Sequence, residues 1–195
     1  MVIAGGLALA AGCGSRQTAS PIPPSVSARP PVMPSPPAAR AKTAVPRSVP
    51  VRIVIPAIGV SAPVMQLGLN PDKTIQVPPL ADRNLAGWYK YGPSPGQPGP
   101  AVIVGHIDSA STGGEVFYRL RYLMKGARVY VTLADHKTEV FAVDGLQQVP
   151  KTAFPTMRVY GPVKDAELRL VTCGGVFDPA AGRYLSDVIA YAHLV

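Results

Sequence analysis

Glu167-Leu168-Arg169-Leu170-Val171-Thr172-Cys173-Gly174-Gly175 is the stretch whose reading decides the fold. Leu168, Leu170 and Val171 with Thr172 read as a buried strand, and Gly174-Gly175 is expected to end it abruptly. Cys173 is then the last residue before the break. A thiol at the mouth of a strand, followed by two residues that let the backbone turn freely, is placed to face a groove. The bland alternative is a small buried hydrophobe, the usual role of a strand cysteine, so the rest of the chain has to decide.

Three features bear on it. The chain has two cysteines, Cys13 and Cys173; if Cys13 is removed or modified, Cys173 stands alone, and an unpaired thiol in an exported protein invites a functional explanation. His106, in Ala101-Val102-Ile103-Val104-Gly105-His106-Ile107-Asp108, also ends an apolar strand beside a glycine. An imidazole next to a thiol can activate a nucleophile or protonate a leaving amine. Arginines lie on either side of Cys173, Arg169 before it and Arg183 after it, and a guanidinium near a thiolate can hold an acyl oxyanion.

From about Val51 to Val195 the chain resembles a sortase, the bacterial cysteine transpeptidases of the cell surface. Leu170-Val171-Thr172-Cys173 and Gly105-His106-Ile107-Asp108-Ser109 carry the resemblance, in order and on expected strands. Thr172-Cys173-Gly174-Gly175 with Phe177-Asp178, and Gly105-His106-Ile107-Asp108 with Val116-Phe117, are most similar to the actinobacterial group called class F. The resemblance implies a barrel in which the histidine follows one strand, the cysteine ends the seventh and an arginine lies near the eighth.

Composition sets the bounds. A chain of 195 residues suits one domain with appendages, and 47% hydrophobic residues supply a core. The net charge is +8, but Arg16, Arg29, Arg40, Lys42 and Arg47 precede Val51 with no acid among them, leaving about +3 for the rest. A mild basic excess suits a polyanionic envelope surface. No Lys/Arg run interleaved with aromatics occurs, so nucleic acid is set aside. Residues 1–13 are uncharged, apolar and too short for a bilayer span of about 20 residues; they fit the apolar part of an export signal or membrane anchor. Leu9-Ala10-Ala11-Gly12-Cys13 is similar to a lipobox, with Cys13 as the lipidated residue. It departs from one in lacking a basic residue ahead and in having Ala10 where leucine is preferred. Lipoprotein and plain membrane anchor both stay open. Residues 14–50 are rich in proline, without apolar periodicity, and are expected to form an extended spacer. The catalytic domain is expected over 51–195.

Within that domain, strands are expected at 51–55, 62–69, 75–77, 85–91, 101–106, 128–133, 138–143, 167–173 and 184–194. Short helices are expected at 115–124 and around 154–160, inside a long 147–165 connection. Eight or so short strands with little helix suggest a mainly β fold and a closed barrel, and the resemblance implies that it is the eight-stranded sortase type. His106, His136 and His193 lack metal-ligand spacing, so no metal and no cofactor is expected.

The chemistry implied by the resemblance is acyl transfer through a Cys173 thioester. Cys173 attacks a threonine carbonyl in a sorting-signal peptide of the Leu-Pro-x-Thr-Gly kind. His106 protonates the departing amine and later accepts a proton from an incoming one, a peptidoglycan precursor or a pilin lysine. Arg183, which shares strand parity with Leu185 and Asp187, is the first choice for the oxyanion, and Arg169 is the runner-up. Thr172 is expected to support the cysteine geometry. Asp108 is assigned to turn chemistry, with at most a minor part in orienting His106. The 147–165 connection, with Phe154 and Met157, is the candidate for peptide selection or, equally, core. The enzyme is expected to be a monomer tethered to the outer face of the cell membrane. Two alternatives remain: a cut-only cysteine hydrolase of the envelope, and a non-enzymatic envelope lipoprotein with a buried structural thiol. An L,D-transpeptidase is disfavoured because its Ser-x-Gly-Cys neighbourhood is absent.

Overall fold

The computed structural model describes residues 46–109 and 113–195. Cys13, the signal segment 1–13 and the linker up to residue 45 lie outside the described residues.

In chain order the strands are β1 (Pro50–Ile55), β2 (Val60–Leu67), β3 (Ala86–Tyr89), β4 (Gly99–Val104), β5 (Asp108–Ser109), β6 (Gly113–Gly114), β7 (Arg128–Leu133), β8 (Thr138–Pro150), β9 (Ala166–Asp178) and β10 (Arg183–Leu194). The helix α1 (Thr156–Tyr160) is short, and 3₁₀ turns occupy Pro56–Ile58, Leu120–Tyr122 and Lys151–Ala153. Eight strands close a barrel in the order β1-β2-β3-β4-β9-β10-β8-β7. Two neighbouring pairs, β2 with β3 and β4 with β9, run parallel.

Alternation sorts side chains between two cores. Ile53, Ile55, Ala101, Ile103, Leu168, Leu170, Val188 and Ala190 point inward with Trp88 and Phe141. The alternate positions Val102, Val149, Val171, Ile189 and Tyr191 face outward and form a second apolar layer with Val159 of α1. The β8–β9 connection thus covers one outer face of four strands, β4-β9-β10-β8. A strand apolar on both faces reads as a continuous run, which is what Ala101 to Val104 shows.

Three expected elements differ from the structure for identifiable reasons. Strand β9 does not stop at Cys173; it runs through both glycines to Asp178. Gly175 has φ +75, and the β9–β10 register shifts between the Tyr184 and Ser186 pairs. The glycine makes a bulge, bending the ladder rather than ending it. The helix expected at 115–124 shrinks to Leu120–Tyr122, although Val116, Leu120 and Leu123 are buried as their spacing requires. Backbone N–H groups of Tyr118, Leu120, Tyr122 and Leu123 donate to carbonyls three residues back, on Glu115, Phe117, Arg119 and Leu120 (2.9–3.0 Å), so the segment winds as tight 3₁₀-type turns rather than as an α-helix. Strand β8 continues to Pro150 because residues 145–150 leave β7 and pair with β10. The connection after it is therefore shorter than 147–165. The strand expected at 75–77 is a single bridge, Leu69 with Ile75.

Folded contacts begin upstream of Val51. The Arg47 guanidinium lies 4.8 Å from the Trp88 ring centre and donates to the Gly92 carbonyl (2.9 Å). Ala134 N–H donates to the Val49 carbonyl (2.8 Å), and Pro50 pairs with Leu133. Removing residues 1–45 is expected to leave the melting temperature unchanged. Removing 1–50 forfeits one cation–π contact and a few hydrogen bonds, about 3 kcal/mol in all. Calorimetry should show that loss as a Tm lowered by roughly 10 °C.

Candidate active site

Strands β4 and β9 bring His106 and Cys173 to one end of the barrel. Val104 pairs with Val171, and the Gly105 N–H donates to the Val171 carbonyl (3.1 Å). His106 and Cys173 each follow their paired valine by two residues, so both lie just past the last β4–β9 pair, at the same end of that ladder. Parity puts Cys173 on the outer face with Arg169 and Val171. Both residues are half-buried. The second core ends here: α1 covers Val171, and Cys173 lies at the open edge.

The imidazole is fixed by its surroundings. Gly105 has no room for a side chain, since a Cβ would lie 2.6 Å from Val116 and 2.7 Å from Phe117. The chain therefore passes close beneath 116–117, whose backbone anchors the His106 carbonyl. His106 Nε2 lies 2.7 Å from the Pro78 carbonyl oxygen. A carbonyl only accepts, so Nε2 carries the proton and Nδ1 is the nitrogen left for a second partner. Pro78 belongs to the β2–β3 connection, which is tied down by the Leu69–Ile75 bridge and by Gln76, whose side-chain carbonyl accepts the Gly68 N–H (2.8 Å).

Asp108 takes another partner. The Tyr184 hydroxyl donates to its carboxylate, and that bond, ahead of burial, pushes the phenol up to about 12. The bond ties β10 to β5, next to the histidine. Thr172 is 4% exposed and faces the inner core, and its hydroxyl has no hydrogen-bond partner among the described residues.

Neither arginine is in contact with the sulfur. Arg169 is 4% exposed and engaged throughout: it donates to the Arg158 carbonyl (3.3 Å), the Leu168 carbonyl (3.2 Å) and the Glu167 carboxylate, and lies 4.9 Å from the Tyr191 ring centre. It pins α1 onto the sheet, four residues back from Cys173, roughly 13 Å of strand. Arg169→Ala should thus destabilise the fold by about 3–5 kcal/mol, because it leaves Glu167 and a buried carbonyl without their partner. Chemical denaturation reads this directly. Arg183 opens β10 opposite Asp178, is exposed, and makes no hydrogen bond or ion pair with the described residues. The position opposite Cys173 on β10 belongs to Asp187 instead.

Sequence reasoning missed Lys151. Its Nζ lies 3.3 Å from Cys173 Sγ and 3.7 Å from Asp187 Oδ1. Burial pushes the Asp187 carboxyl up, and Lys151 partly offsets that. Gln147 and Val149 lie on the outer face of β8, as Asp187 and Cys173 do on their strands, and Lys151 follows directly after the end of β8. A signal existed: an acid at 187, within an apolar strand, requires a cation nearby.

A family model described as the Sortase domain matches residues 53–195. The chain belongs to the sortase family. Its members are cysteine transpeptidases, and the barrel, the strand order and the single short helix are theirs. The fold is similar to sortase A from Corynebacterium diphtheriae (TM-score 0.57, 21% identity, over 77% of this chain and 62% of that one). It is similar to sortase C-1 from Actinomyces oris (0.57, 23%, 74% and 72%) and to a sortase D5 transpeptidase from Clostridium perfringens (0.55, 20%, 76% and 79%). The sortase thus spans less than two thirds of the first of these. Comparison with curated proteins returned no match.

Proposed function

We propose that this sortase is an envelope transpeptidase that cleaves a sorting-signal peptide of the Leu-Pro-x-Thr-Gly kind and passes it to an amine. The observation that carries the reading is that Cys173 and His106 both lie two residues beyond the last pair of the parallel strands β4 and β9, each half-buried at the same end of that ladder. The thiol proton passes to His106 Nδ1 and the Cys173 sulfur attacks the threonine carbonyl carbon; a C–S bond forms and the carbonyl electron pair moves to oxygen. As the tetrahedral centre collapses, the C–N bond breaks and His106 Nδ1–H protonates the leaving nitrogen. The acceptor amine then attacks the thioester, its proton passes to Nδ1, and the thiolate leaves. Through both steps Nε2–H stays on the Pro78 carbonyl, so the ring is held while Nδ1 exchanges the proton.

Exposed apolar side chains support a peptide ligand. Val77 and Leu80 flank Pro78 at 61% and 55% exposure, and Val176, Phe177 and Leu185 stand exposed beyond Cys173. Such a rim suits a peptide with leucine and proline near the scissile bond. In the same reading the residues ahead of Pro46 are the tether, anchored by a lipid on Cys13 or by an apolar segment, and the enzyme is taken as most similar to class F. A thioester is preferred because amines compete with water for it. Incubation of residues 46–195 with a Leu-Pro-Asn-Thr-Gly peptide and triglycine should yield the new amide Thr-Gly₃ in excess of the free acid. Free acid alone at saturating triglycine would instead make the protein a cut-only hydrolase.

A further inference from the structure

We propose that Lys151, held by Asp187, supplies the cation for the acyl oxyanion in this sortase, the role expected of an arginine. The proposal rests on the reading of Cys173 as the nucleophile.

Three adjacent strands converge on the outer face to build this group. Asp187 of β10 is paired on one side with Cys173 and on the other with Val149. Lys151 follows Val149 by one turn of the strand's alternation, at the start of the Lys151–Ala153 turn. Its side chain reaches across β10 to the sulfur, 3.3 Å away, and passes Asp187 at 3.7 Å. An acid directly opposite the nucleophile would by itself oppose a developing oxyanion. Lys151 neutralises it, and the ammonium has three donors. Asp187 and the sulfur occupy two directions, and the side chain is 34% exposed, so a donor can be presented to a ligand. The oxyanion forms on the carbon bonded to Sγ, hence next to the atom Lys151 already contacts. Donors aimed at that point act on the transition state more than on the bound peptide.

The surroundings keep the lysine there. Asp187 is 15% exposed, and the neighbouring Tyr160 hydroxyl is pushed up to about 12 by burial first and then by the Asp187 charge. Arg169 fastens α1, and with it the connection that starts at Lys151. Arg183 lies four residues along β10 from Asp187, roughly 13 Å of strand.

The test uses p-nitrophenyl acetate, an activated ester that needs neither peptide recognition nor a proton from His106. Sulfur attacks the acetyl carbon, p-nitrophenolate leaves, and its absorbance reports acylation of Cys173. Wild-type residues 46–195 should show a stoichiometric burst that Cys173→Ala abolishes. Lys151→Met should slow the burst by about 10²–10³-fold. Lys151→Arg should recover most of the rate, and Arg183→Ala should stay within a few-fold of wild type. Circular dichroism melts confirm that each variant is folded. A normal burst in folded Lys151→Met, or a loss confined to Arg183→Ala, overturns the proposal and leaves the nucleophile standing. An acetyl group found on Lys151 rather than Cys173 overturns it too, because the lysine would then be the nucleophile. No burst in the wild type removes the Cys173 reading and this proposal together.

Discussion

Cys173→Ala is expected to abolish amide transfer while the barrel stays folded. Without the sulfur there is no covalent intermediate, and the reaction has no second route through this site. Loss of a covalent nucleophile costs on the order of 10⁶ in turnover. The structural cost is small. Cys173 is half-buried at the edge of the second core, and removing one sulfur there forfeits about 1 kcal/mol or less. The variant should melt within a few degrees of wild type. It should also still bind the peptide, since the exposed apolar rim of Val77, Leu80 and Phe177 is untouched. Isothermal titration against the Leu-Pro-Asn-Thr-Gly peptide measures that, and a fluorogenic version measures turnover. Turnover near wild type in the alanine variant would remove the thiol from the chemistry.

His106→Ala should cost about 10²–10⁴ in turnover with peptide, the usual range for an acid–base group. The amine leaving group needs a proton, and Nδ1 is the nitrogen free to give it, because Nε2 is committed to the Pro78 carbonyl at 2.7 Å. The same substitution should matter far less for p-nitrophenyl acetate, whose leaving group departs as an anion. A variant that loses both substrates equally would assign His106 to thiolate formation instead. Should both rates survive, another group handles the proton. Asp108 is not expected to compensate, since its carboxylate is bonded to Tyr184.

The barrel was largely legible because its strands alternate cleanly. Ile53 and Ile55, or Leu168 and Leu170, announce an inner face by spacing alone. Errors arose where long-range pairing decides an outcome. Gly174-Gly175 reads locally as a stop, yet β10 supplies partners on both sides of it and the glycine becomes a bulge. Val116, Leu120 and Leu123 have helical spacing, but the backbone donors from Tyr118 to Leu123 bond three residues back and make turns instead of an α-helix.

The site shows the same division. His106 and Cys173 stood out as candidates because each lies beside a glycine at the end of an apolar run. Arg183 rested on strand parity, and parity fixes a face without fixing distance along it. Lys151 sits 22 residues from Cys173 in sequence and meets it only through β8–β10 and β10–β9 pairing. The Pro78 carbonyl is a backbone atom, which no residue-type pattern marks. Upstream, Arg47 was grouped with the linker on composition, although its guanidinium packs on Trp88.

The most direct test of the account is acid quenching of residues 46–195 during turnover of the Leu-Pro-Asn-Thr-Gly peptide, followed by intact-mass and peptide-mapping mass spectrometry. The account predicts a mass gain equal to the acyl fragment ending in threonine, located on Cys173, labile to hydroxylamine and discharged by triglycine. Cleaved peptide with no acyl group on Cys173, or an adduct on another residue, would contradict it.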